Sequence, residues 1–172
     1  LDRLEVASVP LLVLTHFHAD HVGGVAGVLS GREVDVVEGT ALQDPAEGAR
    51  MVERAAGRAP ASVAYGVTRR IGEVTLQTVW PRPGAAAQDA GESAPNNASV
   101  VLLAEVAGVR ILLTGDVEPS AQAALGRDLA GLQVDVLKVP HHGANNSFSP
   151  AFVERVKAVL RRFAPKDQSA PK

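Results

Sequence analysis

Short apolar runs punctuate the chain, and most stop at or within two residues of Gly, Pro or Thr. The first, residues 11–14 (LLVL), follows Pro10 and ends at Thr15, with the length and branched content of a buried strand. Residues 22–29 predict a short helix, and residues 34–37 (VDVV) a second buried strand. Behind Pro45, a helix through Ala56 sets Met51, Val52 and Ala55 on one face and Glu47, Arg50, Glu53 and Arg54 largely on the other. Gly57 and Pro60 end it. Residues 62–67 predict a weak strand. Residues 74–80 (VTLQTVW) alternate well and predict a better one, with Gly72 before it. Residues 81–95 are rich in Pro, Gly and Ala and predict a loop.

The second half is denser. Residues 99–106 and 109–114 predict two strands joined by a tight link at Ala107-Gly108. Residues 118–125 predict a helix with Pro119 in its first turn. Residues 134–139 (VDVLKV) predict a buried strand closed by Pro140, and residues 150–163 a helix capped by Ser149. Strands alternating with helices define an α/β domain. No repeat or second domain interrupts it, so one domain is expected over residues 1–163, followed by a disordered tail over 164–172.

Composition narrows the picture. The 172 residues can bury one sizeable core. With 46% hydrophobic but only 3% aromatic residues, that core must be built from Val, Leu and Ala. No apolar run approaches the ~18 residues of a membrane span, which predicts a soluble piece. The lack of Cys excludes disulfides and thiolate metal sites. A net charge of −2 supplies no general attraction to nucleic acid, so such binding would need a local basic patch or bound metal.

The chemistry concentrates where the first strand ends, in HFHADHVGG. His16, His18, Asp20 and His21 fall within six residues, between a strand and a helix, where open α/β sheets place their sites. On extended backbone His16 and His18 point the same way. Asp20 and His21 lie at the turn into the helix and can face a second point close by. Imidazole and carboxylate suit zinc, manganese or iron. The set predicts two divalent ions, Zn2+ or Mn2+, about 3.5–4 Å apart, as used to hydrolyse esters and phosphodiesters. All five histidines lie in HFHADH or in His141-His142-Gly143, each immediately after a predicted strand, which argues for one shared site. Asp116 has the same placement and turns inward at Gly115; capping the next helix is its other reading. Neighbours on extended backbone face opposite sides, so His141 and His142 cannot both enter one site. His141 is the expected ligand, with His142 buttressing it or bonding substrate. Asn97, with Asn96, either meets substrate or metal or shapes the turn before a strand.

HFHADH followed by VGG resembles the H-x-H-x-D-H signature of the metallo-β-lactamase superfamily. The resemblance implies an αββα sandwich. It implies His16, His18 and Asp116 at one ion, and Asp20, His21 and Asp116 at the other, with Asp116 bridging and His141 helping. Asp20 and His141 are the expected catalytic groups. Together with Val79-Trp80-Pro81, NNASVVLL, LLTGDVE and VDVLKVPHHGANNS, the order of motifs resembles the C-terminal domain of ComEC-type competence proteins, over residues 11–152. Those are membrane proteins that carry transforming DNA across the cytoplasmic membrane. This resemblance implies a nuclease acting on single-stranded DNA, tied to the membrane through spans upstream in a longer protein. It also implies a domain trimmed at both ends, with unpaired strand edges. Arg155, Lys157, Arg161 and Arg162 offer cations for DNA, or form an ordinary solvated helix face. Two other functions fit the same motifs: a lactonase or small phosphodiesterase of the superfamily, and a non-catalytic domain supporting a membrane DNA channel.

Overall fold

Two sheets pack face to face, each with helices on its outer side. The structure, a computed structural model, describes residues 5–85, 92–144 and 149–160. The first sheet is parallel, in the order β1 (Ser8–Leu14), β2 (Glu33–Gly39), β3 (Ala61–Ser62). Helices α1 (Ala19–Val22), α2 (Val25–Leu29) and α3 (Ala46–Ala56) connect these strands. Strand alternation decides which side chains meet what. Leu12 and Leu14 of β1 and Val37 of β2 turn toward Val22, Val25, Ala49 and Val52 of the helices. Leu11 and Val13 face the other way and line a narrow space with Val63, Leu76 and Leu102.

The second sheet runs β4 (Thr68–Ile71), β5 (Val74–Trp80), β6 (Val101–Val106), β7 (Val109–Leu113), β8 (Val136–Lys138). All neighbours are antiparallel except β7 and β8. A helical turn, α4 (Ala94–Asn97), precedes β6. Helices α5 (Pro119–Asp128) and α6 (Pro150–Leu160) cover the outer face. Trp80, Val101 and Leu112 of this sheet bury themselves with Leu125 and Phe152 of the helices. Between the sheets, buried Glu38 of β2 pairs with Arg69 of β4. The layers are therefore helix, sheet, sheet, helix, the αββα sandwich expected from the motifs.

Several elements depart from the sequence reading for identifiable reasons. The helix expected over residues 22–29 is broken at Gly23-Gly24, and its first piece starts at Ala19. Asp20 and His21 therefore ride on a helix rather than on the turn before it. Of residues 62–67, only Ser62 belongs to a strand; the strand lies instead at Thr68–Ile71. Its Thr-Arg-Arg-Ile sequence has no apolar run, and it forms because a tight turn after Ile71 returns the chain along β5. β8 has only three residues, and Val136 and Val139 are exposed because it is an edge strand. The link between β6 and β7 is as expected. Ala107 and Gly108 both take positive φ, 50° and 77°, which matches the twist of a hairpin. Among the described residues no helix is long and apolar enough to cross a membrane. The expected tail, residues 164–172, lies outside the described residues.

Candidate metal centre

One wall of the site begins where β1 stops. The Thr15 carbonyl accepts the Val100 N–H at 2.9 Å and fixes this strand end against the start of β6. His16 is fully buried and His18 sits, still extended, at the head of α1. His16 Nε2 and His18 Nδ1 converge to 3.0 Å. The Thr15 hydroxyl lies 3.1 Å from His16 Nδ1 and 3.3 Å from His21 Nδ1. The Ser99 hydroxyl lies 3.3 Å from His16 Nδ1 and accepts the Asp116 N–H at 3.1 Å. Both hydroxyls sit on Nδ1 atoms and leave Nε2 to face inward, the usual way an outer group orients a ligating histidine. Helix α3 crowds this turn. A Cβ at Gly48 would come within 1.9 Å of the Phe17 carbonyl oxygen, so only glycine fits.

The opposite wall comes from the second sheet. After β7 the chain bends at Gly115 (φ 56°), where a Cβ would meet that of Ser99 at 2.7 Å. This bend turns Asp116 inward, with its side chain 3% exposed. After β8, His141 (φ 45°) and His142 (φ 53°) are both left-handed, a conformation costing roughly 1–2 kcal/mol for each non-glycine residue. The turn is not extended, so the rule that neighbours face opposite sides does not govern it. His142 Nε2 reaches Asp116 Oδ2 (3.1 Å), His21 Nε2 (3.2 Å) and Asp20 Oδ2 (3.5 Å). His21 Nε2 is 3.0 Å from Asp116 Oδ2 and 3.5 Å from Asp20 Oδ2. Asp20, His21, Asp116 and His142 thus offer four ligand atoms within 4.8 Å of one another. A tetrahedral ion bound at about 2.0–2.2 Å keeps its ligands roughly 3.3–3.6 Å apart, so these groups fit a divalent cation.

One expectation is corrected here, and one open alternative is resolved. His142, not His141, faces Asp116 and His21. His141 Nδ1 instead points to Glu118 Oε1 at 3.7 Å and has no hydrogen-bond partner among the described residues. Asn97 does not face the ligands. Its amide donates to Glu92 and Ser120, and its oxygen accepts the Glu118 N–H. It shapes the turn before β6, as does Asn96, which donates to Glu118. Of the proposed DNA-binding cations, Arg155 donates to the Gly126 carbonyl, back onto α5. The side chain of Lys157, and Arg161 and Arg162, lie outside what the structure describes.

Electrostatics prepare the site. Burial, reinforced by His21 and His18, pushes the His16 imidazole down to about 3, against the pull of Asp116 and Asp20. His16 is therefore neutral at pH 7 and ready to ligate without losing a proton. Burial alone would raise the Asp116 carboxyl, but His21, Lys138, His142 and His16 outweigh it and hold it below its ordinary value. Lys138 escaped the sequence reading. The signal was there: a lysine inside an apolar strand, three residues before His141.

A strand-end cluster of three histidines and an aspartate, met by an inward carboxylate across an αββα sandwich, defines a class. The family described as the metallo-beta-lactamase superfamily matches residues 1–160, and the chain belongs to it. Members of this superfamily are metal-dependent hydrolases. Among curated relatives, ComE operon protein 3 of Bacillus subtilis (strain 168) is 27% identical over 155 residues, 88% of this chain. Uncharacterized protein YcaI of Escherichia coli (strain K12) is 41% identical over 78 residues, 45% of this chain. The chain spans only 19% and 10% of the lengths of these two proteins. A B3 metallo-beta-lactamase with an active-site glutamic acid shares the fold at a TM-score of 0.50 and 20% identity, covering 90% of this chain and 68% of that one.

Proposed function

We propose that this chain hydrolyses phosphodiester bonds of single-stranded DNA with divalent metal, Zn2+ or Mn2+, as part of a DNA-uptake system. The four-ligand seat of Asp20, His21, Asp116 and His142 carries this reading. The His16–His18 pair beside it supports a second ion. Similarity to ComE operon protein 3 along most of the chain, with the motif order of competence proteins, supports DNA as substrate and a longer, membrane-held protein as context. When bound, such ions polarise a phosphoryl oxygen and bring the pKa of water near neutrality.

The chain's own groups do the rest. Asp20 stands at the mouth with its side chain 65% exposed, where the carboxylate can hold an ion through one oxygen and accept the proton of the attacking water with the other. Buried Asp116 supplies fixed negative charge from the opposite wall. Thr15 and Ser99 keep the histidine rings in register. The test is cleavage of single-stranded DNA with Mn2+ or Zn2+ supplied, by this chain and by the longer protein. Asp20→Ala should lower the rate by about 10²–10⁴-fold, the usual range for a general base, while leaving the melting temperature unchanged. Intact DNA combined with turnover of a lactone or small phosphodiester would replace this reading with a small-molecule hydrolase.

A further inference from the structure

Lys138 is the last residue of β8, paired with Leu113 of β7. Its carbonyl accepts the Thr114 hydroxyl at 2.8 Å, so its backbone is held from two directions. Its ammonium donates to the Gly115 carbonyl at 2.8 Å and to Asp116 Oδ1 at 3.3 Å. The other oxygen of the same carboxylate, Oδ2, faces His21 and His142. One carboxylate therefore serves two cationic positions, and a side chain already fills one of them. A lysine ammonium suits that place because it is a compact point charge with three donors.

We propose that Lys138 is a positioning residue: a tethered cation that reserves Asp116 Oδ1, aims Oδ2 into the four-ligand seat, and makes that seat fill before the His16–His18 position. The inference rests on the metal reading above. A carboxylate that bridges two ions through both its oxygens needs Oδ1 free, and Lys138 withholds it. Its charge also repels a divalent ion brought to Oδ1 more strongly than one at the more distant Oδ2, which weakens the second binding step more than the first.

The experiment is a Mn2+ titration of the whole chain, followed by calorimetry and electron paramagnetic resonance. Wild type should bind its first ion as an isolated six-line signal, with any second ion weaker. Lys138→Met keeps the length and removes the charge. In that variant the second step should tighten by about tenfold or more, the scale of removing one unit charge from beside a divalent ion. The coupled signal of paired ions should then appear at lower Mn2+. Lys138→Arg should restore the wild-type order. Lys138→Gln serves the same purpose if the Met variant does not fold. Unchanged second steps in the neutral variants overturn the inference and leave Lys138 a strand-end lysine. A folded wild-type chain that binds no Mn2+ or Zn2+ overturns the metal reading and this inference together. Ordered loading in a chain that leaves DNA uncut supports the inference and removes only the substrate.

Discussion

The two walls of the metal centre are built in opposite ways. The wall from the first sheet packs His16, His18, Asp20 and His21 into one strand end and one four-residue helix. Local geometry and burial hold it, with Phe17 and His16 both fully buried. The wall from the second sheet gathers Asp116, Lys138 and His142 from a strand exit, a strand end and a left-handed turn. Hydrogen bonds and strained backbone hold that one, including the His141 N–H on the Gly115 carbonyl at 3.3 Å. A contiguous motif can carry ligands, but it needs a partner wall that only long-range topology supplies.

Acid should separate the walls most strongly. Because the His16 pKa is depressed from 6.5 to about 3, the unfolded chain binds the proton first. The stability His16 contributes is therefore full above pH 6.5 and is lost as pH falls toward 3. The loss amounts to roughly 5 kcal/mol as an upper bound. Asp116 has the same sign, since its depressed carboxyl also loses its contribution on acidification, but at lower pH. Melts of the metal-free chain in chelator should fall across pH 6.5–3, and His16→Gln should flatten that fall. An unchanged profile in His16→Gln would move the acid sensitivity to the other wall.

Next in size is the contrast between adjacent histidines. His142→Ala should weaken Zn2+ or Mn2+ binding more than about a hundredfold, beyond the range for residues that merely support a ligand. His141→Ala should stay within about tenfold. Calorimetric titration reads both, and the reverse order would return the ligand role to His141.

The smallest effects test the scaffolds. Gly48→Ala presses α3 into the Phe17 carbonyl and should cost about 1–3 kcal/mol by overpacking the first wall. Gly115→Ala meets Ser99 and also carries an unfavourable φ, so it should cost as much and in addition weaken metal binding through Asp116. Denaturant melts paired with metal titration distinguish them. Loss of affinity in both variants would make the walls equally fragile.

The asymmetry also explains what was legible in the sequence. The first strand, the helix behind Pro45, the hairpin at Ala107-Gly108 and the helix opened by Pro119 follow from local periodicity and turn chemistry. So does the gathering of His16, His18, Asp20 and His21. β4 was not legible, because Thr-Arg-Arg-Ile carries no apolar signal and its Arg69 finds a partner only across the sheets. The choice of His142 depends on two successive left-handed residues, which nothing in the Pro-His-His-Gly sequence specifies. The motif order leaves Asn97 two readings, site chemistry or turn, and its bonds to Glu92 and Ser120 decide for the turn.

The Glu38–Arg69 pair between the sheets has an evolutionary consequence. Removing Arg69 alone leaves the buried Glu38 carboxylate uncompensated, whereas Arg69, with its side chain 37% exposed, can turn to water when Glu38 is lost. Single-step paths away from the pair are therefore unequal: steep through Arg69, shallow through Glu38. Lineages that leave the pair should lose the carboxylate first, and a lone arginine should be met more often than a lone glutamate.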